Sequence, residues 1–328
     1  MTEDCPIVKC MEKEYLLPDT GKPIQLQPHQ REVLNWMFTP TEDGSLKYRT
    51  YVYSTPKKEG KTELGGAIAY SYARTYGGDC LSVANDREQA QLRMYDRVLN
   101  SMAYAKEKRP QQYRKAIDDD CWEKGYVGSK SEANIIFKDV GQANPGPHQL
   151  RFIPTDYAGE AGALNALVVF DELWAYSGES MARLYTELQP IQAIPYSIRV
   201  ITTYAGFYGE SELLWNIYED VVDPDPQTDE ARGQKIPGLE HLPLYEKGPT
   251  CVYWSHENLM PWNTPEFIED ARQDPALKTR PGEFARLWEN RWSTGASPYL
   301  DPKLIDELME RGDQMGLVNN LAPERFTI

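Results

Sequence analysis

The stretch Ser54-Thr55-Pro56-Lys57-Lys58-Glu59-Gly60-Lys61-Thr62 decides the fold. It begins at the end of a β-branched and aromatic run, TYVYS at residues 50–54, that predicts a strand. Beyond it, Leu64, Ala67, Ile68 and Tyr72 sit at helical spacing. A glycine-containing loop between a strand and a helix is where backbone N–H groups and the helix dipole cradle a polyphosphate. In the pattern G-x-x-x-x-G-K-[ST], Lys61 reaches the β- and γ-phosphates and Thr62 holds Mg2+. Lys57, Lys58, Glu59 and Gly60 line the turn. Thr55 stands where the pattern has its first glycine. A lysine-rich turn that merely contains Gly-Lys-Thr is therefore the competing reading.

Working outward, residues 81–84 read as a second strand and residues 86–89 as a capping box. Leu92, Tyr95, Leu99 and Met102 then share a helical face. Residues 134–140 and 149–154 read as strands joined by a Gly/Pro loop. Residues 167–170 form an apolar strand ending in Asp171-Glu172. Met181, Leu184, Tyr185 and Leu188 mark a helix stopped at Pro190. Residues 197–203 are a further strand, and Leu214, Ile217, Tyr218 and Val221 a further helix. Residues 222–250 carry five prolines and little periodicity, and read as a long solvated loop. Residues 251–255 read as a last strand. Thr264 and Pro265 then cap a helix over 266–273. Strands alternating with amphipathic helices predict an α/β fold with a mainly parallel sheet flanked by helices. Chemistry in such folds sits at the carboxyl ends of strands.

Asp171 and Glu172 lie at such an end. Two adjacent carboxylates after an apolar strand are costly without partners. Asp171 suits the Mg2+ shell, and Glu172 suits deprotonation of an attacking water. An acidic helix start, favoured by the helix dipole, is the alternative. Thr203 ends another strand, where its hydroxyl can report the state of a γ-phosphate; a plain turn is the alternative. Gln30, about 30 residues before the loop, carries an amide that matches an adenine edge, or else a polar helix start. Arg183 and Arg199 read as surface or salt-bridge residues, with an arginine finger toward a neighbouring subunit as the second reading.

The 328 residues carry a formal net charge of −15, which argues against a free-standing sequence-specific DNA-binding module. The charge is uneven. Residues 207–247 hold ten acidic and three basic residues, whereas residues 85–115 hold eight basic and four acidic. Arg87, Arg93, Arg97, Lys106, Lys108, Arg109, Arg114 and Lys115 form the one candidate patch for a DNA backbone, or a solvated helix face. No apolar run approaches the ~20 residues of a bilayer span. The acidic first ten residues are not a signal peptide. Five cysteines suggest neither a disulfide framework nor a zinc site, since Cys5 and Cys10 lack further ligands nearby.

The order of Gln30, the Gly-Lys-Thr loop, the apolar strand with Asp-Glu and Ile-Thr-Thr-x-Ala-Gly resembles the ATPase domain of tailed-phage terminase large subunits. Ser82-Val-Ala-Asn-Asp-Arg-Glu-Gln-Ala90, Phe170-Asp-Glu-Leu-Trp-Ala175, Trp288-Glu-Asn-Arg-Trp292 and Tyr299-Leu-Asp-Pro302 extend the resemblance over about residues 24 to 305. It implies an additional-strand, RecA-like P-loop ATPase over residues 24–255. An N-terminal segment (1–23) would precede it, and a small helical C-terminal extension (256–328) would follow. It further implies ATP and Mg2+ as ligands, with Lys61 and Thr62 on phosphate and Mg2+, Asp171 on Mg2+ and Glu172 as catalytic base. Thr203 carries over as the coupling residue and Gln30 as the adenine contact. Lys57 replaces the family's usual arginine and cannot form its bidentate fork. The implied partners are double-stranded DNA, a portal protein, a small terminase subunit and further copies in a ring, in a host-cell cytoplasm. A nuclease domain does not fit in residues 306–328, so DNA cleavage is not expected of this chain. Two other functions remain open: a helicase- or translocase-type ATPase outside packaging, and a non-hydrolysing P-loop relic acting as an interaction protein.

Overall fold

The computed structural model describes residues 3–84, 94–108, 123–127, 132–137, 143–144, 148–155, 164–224, 231–294 and 311. Ten strands among them form one sheet: β1 (Thr50–Ser54), β2 (Asp79–Ala84), β3 (Glu123–Val127), β4 (Glu132–Ile136), β5 (Gln149–Pro154), β6 (Asn165–Asp171), β7 (Ile198–Thr203), β8 (Gln234–Lys235), β9 (Leu244–Lys247) and β10 (Thr250–Trp254). The spatial order is β3-β4-β5-β2-β6-β7-β1-β10-β9-β8. The six central strands, β5 to β10 in that order, run parallel, and antiparallel strands close both edges. β7 inserts between β1 and β6, which is the additional strand the sequence led us to expect.

Central strands covered on both faces are apolar throughout rather than alternating. All seven residues of β6 are buried. Its Leu167 and Val169 join one cluster, and its Val168 and Phe170 join the other. Tyr51 and Tyr53 likewise part from Val52, and Cys251 and Tyr253 from Val252 and Trp254. The first face is covered by α1 (Pro6–Glu14), α2 (Pro28–Phe38), α3 (Lys61–Thr75) and α4 (Asp96–Lys108), the second by α5 (Glu179–Glu187) and α6 (Glu212–Val221). α7 (Pro265–Gln273), α8 (Pro275–Lys278) and α9 (Pro281–Trp288) follow the sheet. As expected, the Thr264 hydroxyl caps α7, accepting from Phe267 N–H at 3.2 Å.

Two segments differ from the sequence reading. The first residues form α1, whose Ile7, Val8 and Met11 pack on α3, and the Tyr15 hydroxyl after it donates to Glu63 at 2.6 Å. Burying each such apolar side chain contributes roughly 1.5–3 kcal/mol, enough to hold a nine-residue helix that would not persist alone. Residues 222–250 are not one solvated loop. β8 and β9 extend the sheet beyond β10, and Ile236, Leu242 and Leu244 are buried in the core. Pro237, Pro243 and Pro249 sit between short strands and hide a period-two pattern too short to read. Residues 225–230, the capping box at 86–89 and the tail at 312–328 lie outside the described residues.

No described helix is long and apolar enough to cross a membrane. The four described cysteines, Cys5, Cys10, Cys80 and Cys251, are free.

Candidate active site at the carboxyl ends of the parallel strands

The register places the expected residues side by side. Ser54, the last residue of β1, is level with Thr203 of β7 and Trp254 of β10. Asp171 of β6 is level with Thr202. The turn after β1 therefore stands directly beside the carboxylates.

Gly60 adopts a left-handed conformation (φ 77°) that turns the chain into α3, a position L side chains resist. Thr55 takes no left-handed conformation; among described non-glycine residues only Lys58, Glu172 and Asn290 have positive φ. The missing glycine of the motif is thus not required by the backbone here. Lys58 (φ 70°) and Glu172 (φ 58°) hold a strained conformation of the kind that clusters at active sites.

Lys61 is buried, and its ammonium donates to the carbonyls of Thr55 (2.8 Å) and Pro56 (2.6 Å) within the turn itself. Burial pulls its pKa down, while Glu172, Asp171 and Glu59 nearby favour the charged form. Thr62 Oγ1 donates to Asp171 Oδ2 at 3.2 Å, and Thr202 Oγ1 donates to Asp171 Oδ1 at 2.9 Å. A hydroxyl and a carboxylate so paired are hard oxygen ligands of the type Mg2+ takes alongside phosphate oxygens and water. No group of three His, Cys, Asp or Glu side chains that could hold a metal ion is found among the described residues. Glu172 Oε2 accepts from the Trp174 indole at 2.6 Å. Thr203 Oγ1 accepts from Trp174 N–H at 3.3 Å and donates to the Tyr204 carbonyl.

Glu59 does not face outward with Lys57 and Lys58. It is buried and accepts hydrogen bonds from Leu259 N–H (3.1 Å), Met260 N–H (3.4 Å) and the Asn263 amide. Trp262 Nε1 donates to the Lys58 carbonyl at 2.7 Å, and Leu287 O accepts from Lys57 N–H at 2.6 Å. The turn is therefore clasped by chain that follows the sheet. Asn290, fully buried, bonds Ser54 Oγ, the Ser255 carbonyl (2.9 Å) and Ala205 N–H (2.7 Å), tying the ends of β1, β10 and β7 together.

A cavity of about 470 Å3 opens beside the turn, lined by Pro23, Ile24, Gln30, Gly60, Met260 and Trp262 among others. Gln30 is buried at its edge; its Oε1 accepts from Gln27 N–H in a capping box, which leaves the amide donors.

The arginines fall elsewhere. Arg199 is half-buried, stacked 3.7 Å over Tyr185, and bonded to the Tyr185 carbonyl and Thr50 Oγ1 at the end of β7 away from the carboxylates. Arg183 is exposed and pairs with Glu179 one turn away on α5. Arg97 of the basic run turns onto Glu63 and Asp19. Arg87, Arg93, Arg109, Arg114, Lys115 and the side chains of Lys106 and Lys108 lie outside the described residues.

Sequence reasoning missed Thr202, Asn290, Trp174 and the 259–263 clasp. Thr202 was legible as the neighbour of Thr203 on the same strand. Asn290 lay inside a quoted motif but carried no spacing that pointed to strand ends.

No family model matches the chain, and no curated protein matches it. The structure is similar to the large terminase of bacteriophage HK97, with TM-score 0.60 and 13% identity over 93% of this chain and 58% of that one. The fold is that of a large-terminase ATPase. This α/β, RecA-like P-loop architecture spans somewhat over half the length of the HK97 protein. A mutant ATPase domain of the Thermus phage P74-26 large terminase is also similar (TM-score 0.48, 14% identity, 80% of this chain and 99% of that one). So is the large terminase of a thermophilic bacteriophage in complex with ADP (TM-score 0.31, 12% identity, 55% and 39%). Of these, the HK97 likeness carries the fold argument.

Proposed function

We propose that this chain hydrolyses ATP with Mg2+ and uses that hydrolysis to move double-stranded viral DNA into a procapsid. The observation that carries the reading is the convergence of Lys61, Thr62, Asp171, Glu172 and Thr203 at the ends of three adjacent parallel strands. The fold shared with a large terminase supports the packaging role. A portal protein, a small terminase subunit, further copies in a ring and a host-cell cytoplasm belong to the same proposal.

The chemistry follows from the donors. Lys61 exchanges its two carbonyl acceptors for β- and γ-phosphate oxygens, a trade of neutral for charge-assisted hydrogen bonds. Thr62 and Asp171 would hold Mg2+, which when bound neutralises charge on the phosphates. Glu172 accepts a proton from a water as the water oxygen bonds to the γ-phosphorus. The bond from that phosphorus to the β,γ-bridging oxygen breaks, leaving ADP and phosphate. The 470 Å3 cavity is of the size that holds a small organic group, and Gln30 and Trp262 in its lining would contact the base.

ATP hydrolysis by the purified chain tests this, with Lys61→Ala and Glu172→Gln each expected to abolish turnover. Absence of both ATP binding and hydrolysis in the parent, with Mg2+ and at high protein concentration, refutes it. Strand separation on forked DNA would favour the helicase-type reading instead. Nucleotide binding without turnover, even in an assembled ring, would favour the relic reading, which rests on Thr55.

A further inference from the structure

Arg286 on α9 brings a charge into the interior, with 5% of its surface exposed. Nη2 donates to Glu283 Oε2 at 3.0 Å, while Nε and Nη1 are buried without a hydrogen-bond partner among the described residues. Aromatic faces take the place of acceptors. The guanidinium carbon lies 4.3 Å from the Phe207 ring centre, 4.5 Å from Trp174 and 5.2 Å from Tyr204. A planar, weakly hydrated cation tolerates this better than any other charged side chain, yet two donors without acceptors remain a cost.

Those rings belong to the candidate site. The Trp174 indole donates to Glu172 Oε2 at 2.6 Å, and its backbone N–H to Thr203 Oγ1. Ser211 Oγ fixes its carbonyl at 2.6 Å, so the indole moves mainly by turning about its own side-chain bonds. The Lys61 ammonium stands 4.9 Å from the Tyr204 ring centre, so both cations share that ring. Tyr204 in turn feels Glu172 and Arg286 together, with burial pushing its hydroxyl up to about 12.

We propose that Arg286 is a positioning residue for Glu172. It presses on the Trp174 indole, which holds the carboxylate of the base, and so makes the aim of the base depend on where α9 sits. The proposal rests on the hydrolysis reading above for its catalytic consequence. Its geometric content, the link from Arg286 to the Trp174–Glu172 hydrogen bond, does not.

Two measurements on the full chain test it. The first is steady-state ATPase kinetics with ADP affinity. Arg286→Gln is expected to lower kcat about 10- to 100-fold while KM and ADP affinity stay within about twofold. Arg286→Lys, which keeps the charge without the planar stack, should recover part of the loss. Combining Arg286→Gln with Trp174→Phe should be no worse than the worse single change. Additive losses, or a fall in kcat and ADP affinity with a rise in KM alongside a lower unfolding midpoint, overturn the proposal. The second is the indole N–H resonance of Trp174, identified by its loss in Trp174→Phe. It should shift in Arg286→Gln in the direction seen for Glu172→Gln; an unmoved resonance overturns the link. A parent chain that neither binds nor hydrolyses ATP, with Mg2+ and at high protein concentration, while this resonance moves would sink the ATPase reading and leave the Arg286–Trp174–Glu172 link standing.

Discussion

Asn290 offers a worked test of what holds the site together. Replacing it with alanine removes the amide that accepts from Ala205 N–H and donates to the Ser255 carbonyl and Ser54 Oγ. The residue is fully buried, so no water replaces the lost partners. A backbone donor and a backbone acceptor left in this way cost about 1–3 kcal/mol each. Asn290 also has φ 51°, which asparagine tolerates and alanine resists by about 1 kcal/mol. The total for Asn290→Ala is about 3–7 kcal/mol. Asn290→Gly loses the same hydrogen bonds but relaxes the backbone, so it should be about 1 kcal/mol less damaging than alanine. Urea unfolding followed by tryptophan fluorescence, with m-values compared, measures both. In folded Asn290→Gly, nucleotide affinity should also fall, because the ends of β1 and β7 lose their tie. A loss below about 1 kcal/mol in both variants, or a glycine variant no better than alanine, refutes the reasoning.

Three further outcomes are expected. Burial pushes the Glu59 carboxyl up from its ordinary range, against the pull of Asn263, the Leu259 and Met260 N–H groups and Lys61. The folded protein therefore binds this proton more tightly than the unfolded chain, and stability is lost as pH rises through the raised value. Glu59→Gln lacks that titration, so its urea midpoint should gain on the parent as pH rises above the ordinary carboxylate range; a pH-independent difference contradicts the account. Gln30→Ala should raise the KM for ATP and reduce the preference for ATP over GTP by about tenfold, with kcat little changed, as competition kinetics would show. Tyr15→Phe removes the 2.6 Å bond to Glu63 and should destabilise the fold by about 1–2 kcal/mol in the same urea assay, without altering nucleotide affinity.

The central strands were legible because each is a short apolar run with turn residues at its ends, and the sheet buries both faces of all of them. Lys61, Thr62, Asp171, Glu172 and Thr203 were legible because each follows such a run, so reading the strand also located the residue. What escaped was built from long-range contact. α1 has Ile7, Val8 and Met11 at helical spacing, but flanking Glu, Asp and Lys residues diluted the pattern. β8 and β9 are two and four residues long, shorter than any periodicity can reveal. Arg286 and Asn290 act across the fold on residues far earlier in the chain, a relation that no local spacing encodes. At Thr55 the chain takes no left-handed conformation, so the backbone itself does not call for the motif's glycine there.

The clasp on the phosphate turn has a consequence for how the chain is cut. Glu59 finds its donors at residues 259–263, Lys57 bonds to Leu287, and Asn290 reaches back to Ser54. The Ser293 carbonyl accepts from Tyr208 N–H beyond β7. A fragment ending at Ser255 would contain every residue that touches phosphate in our proposal, yet leave a buried carboxylate without its donors and three strand ends untied. Shortened versions meant to keep the turn intact should therefore extend past Ser293. Conversely, a chain broken after Ser255 leaves the turn in one piece and the residues that clasp it in the other. Their recombination would restore nucleotide binding only when both are present, which makes that break a natural place for a split-protein reporter.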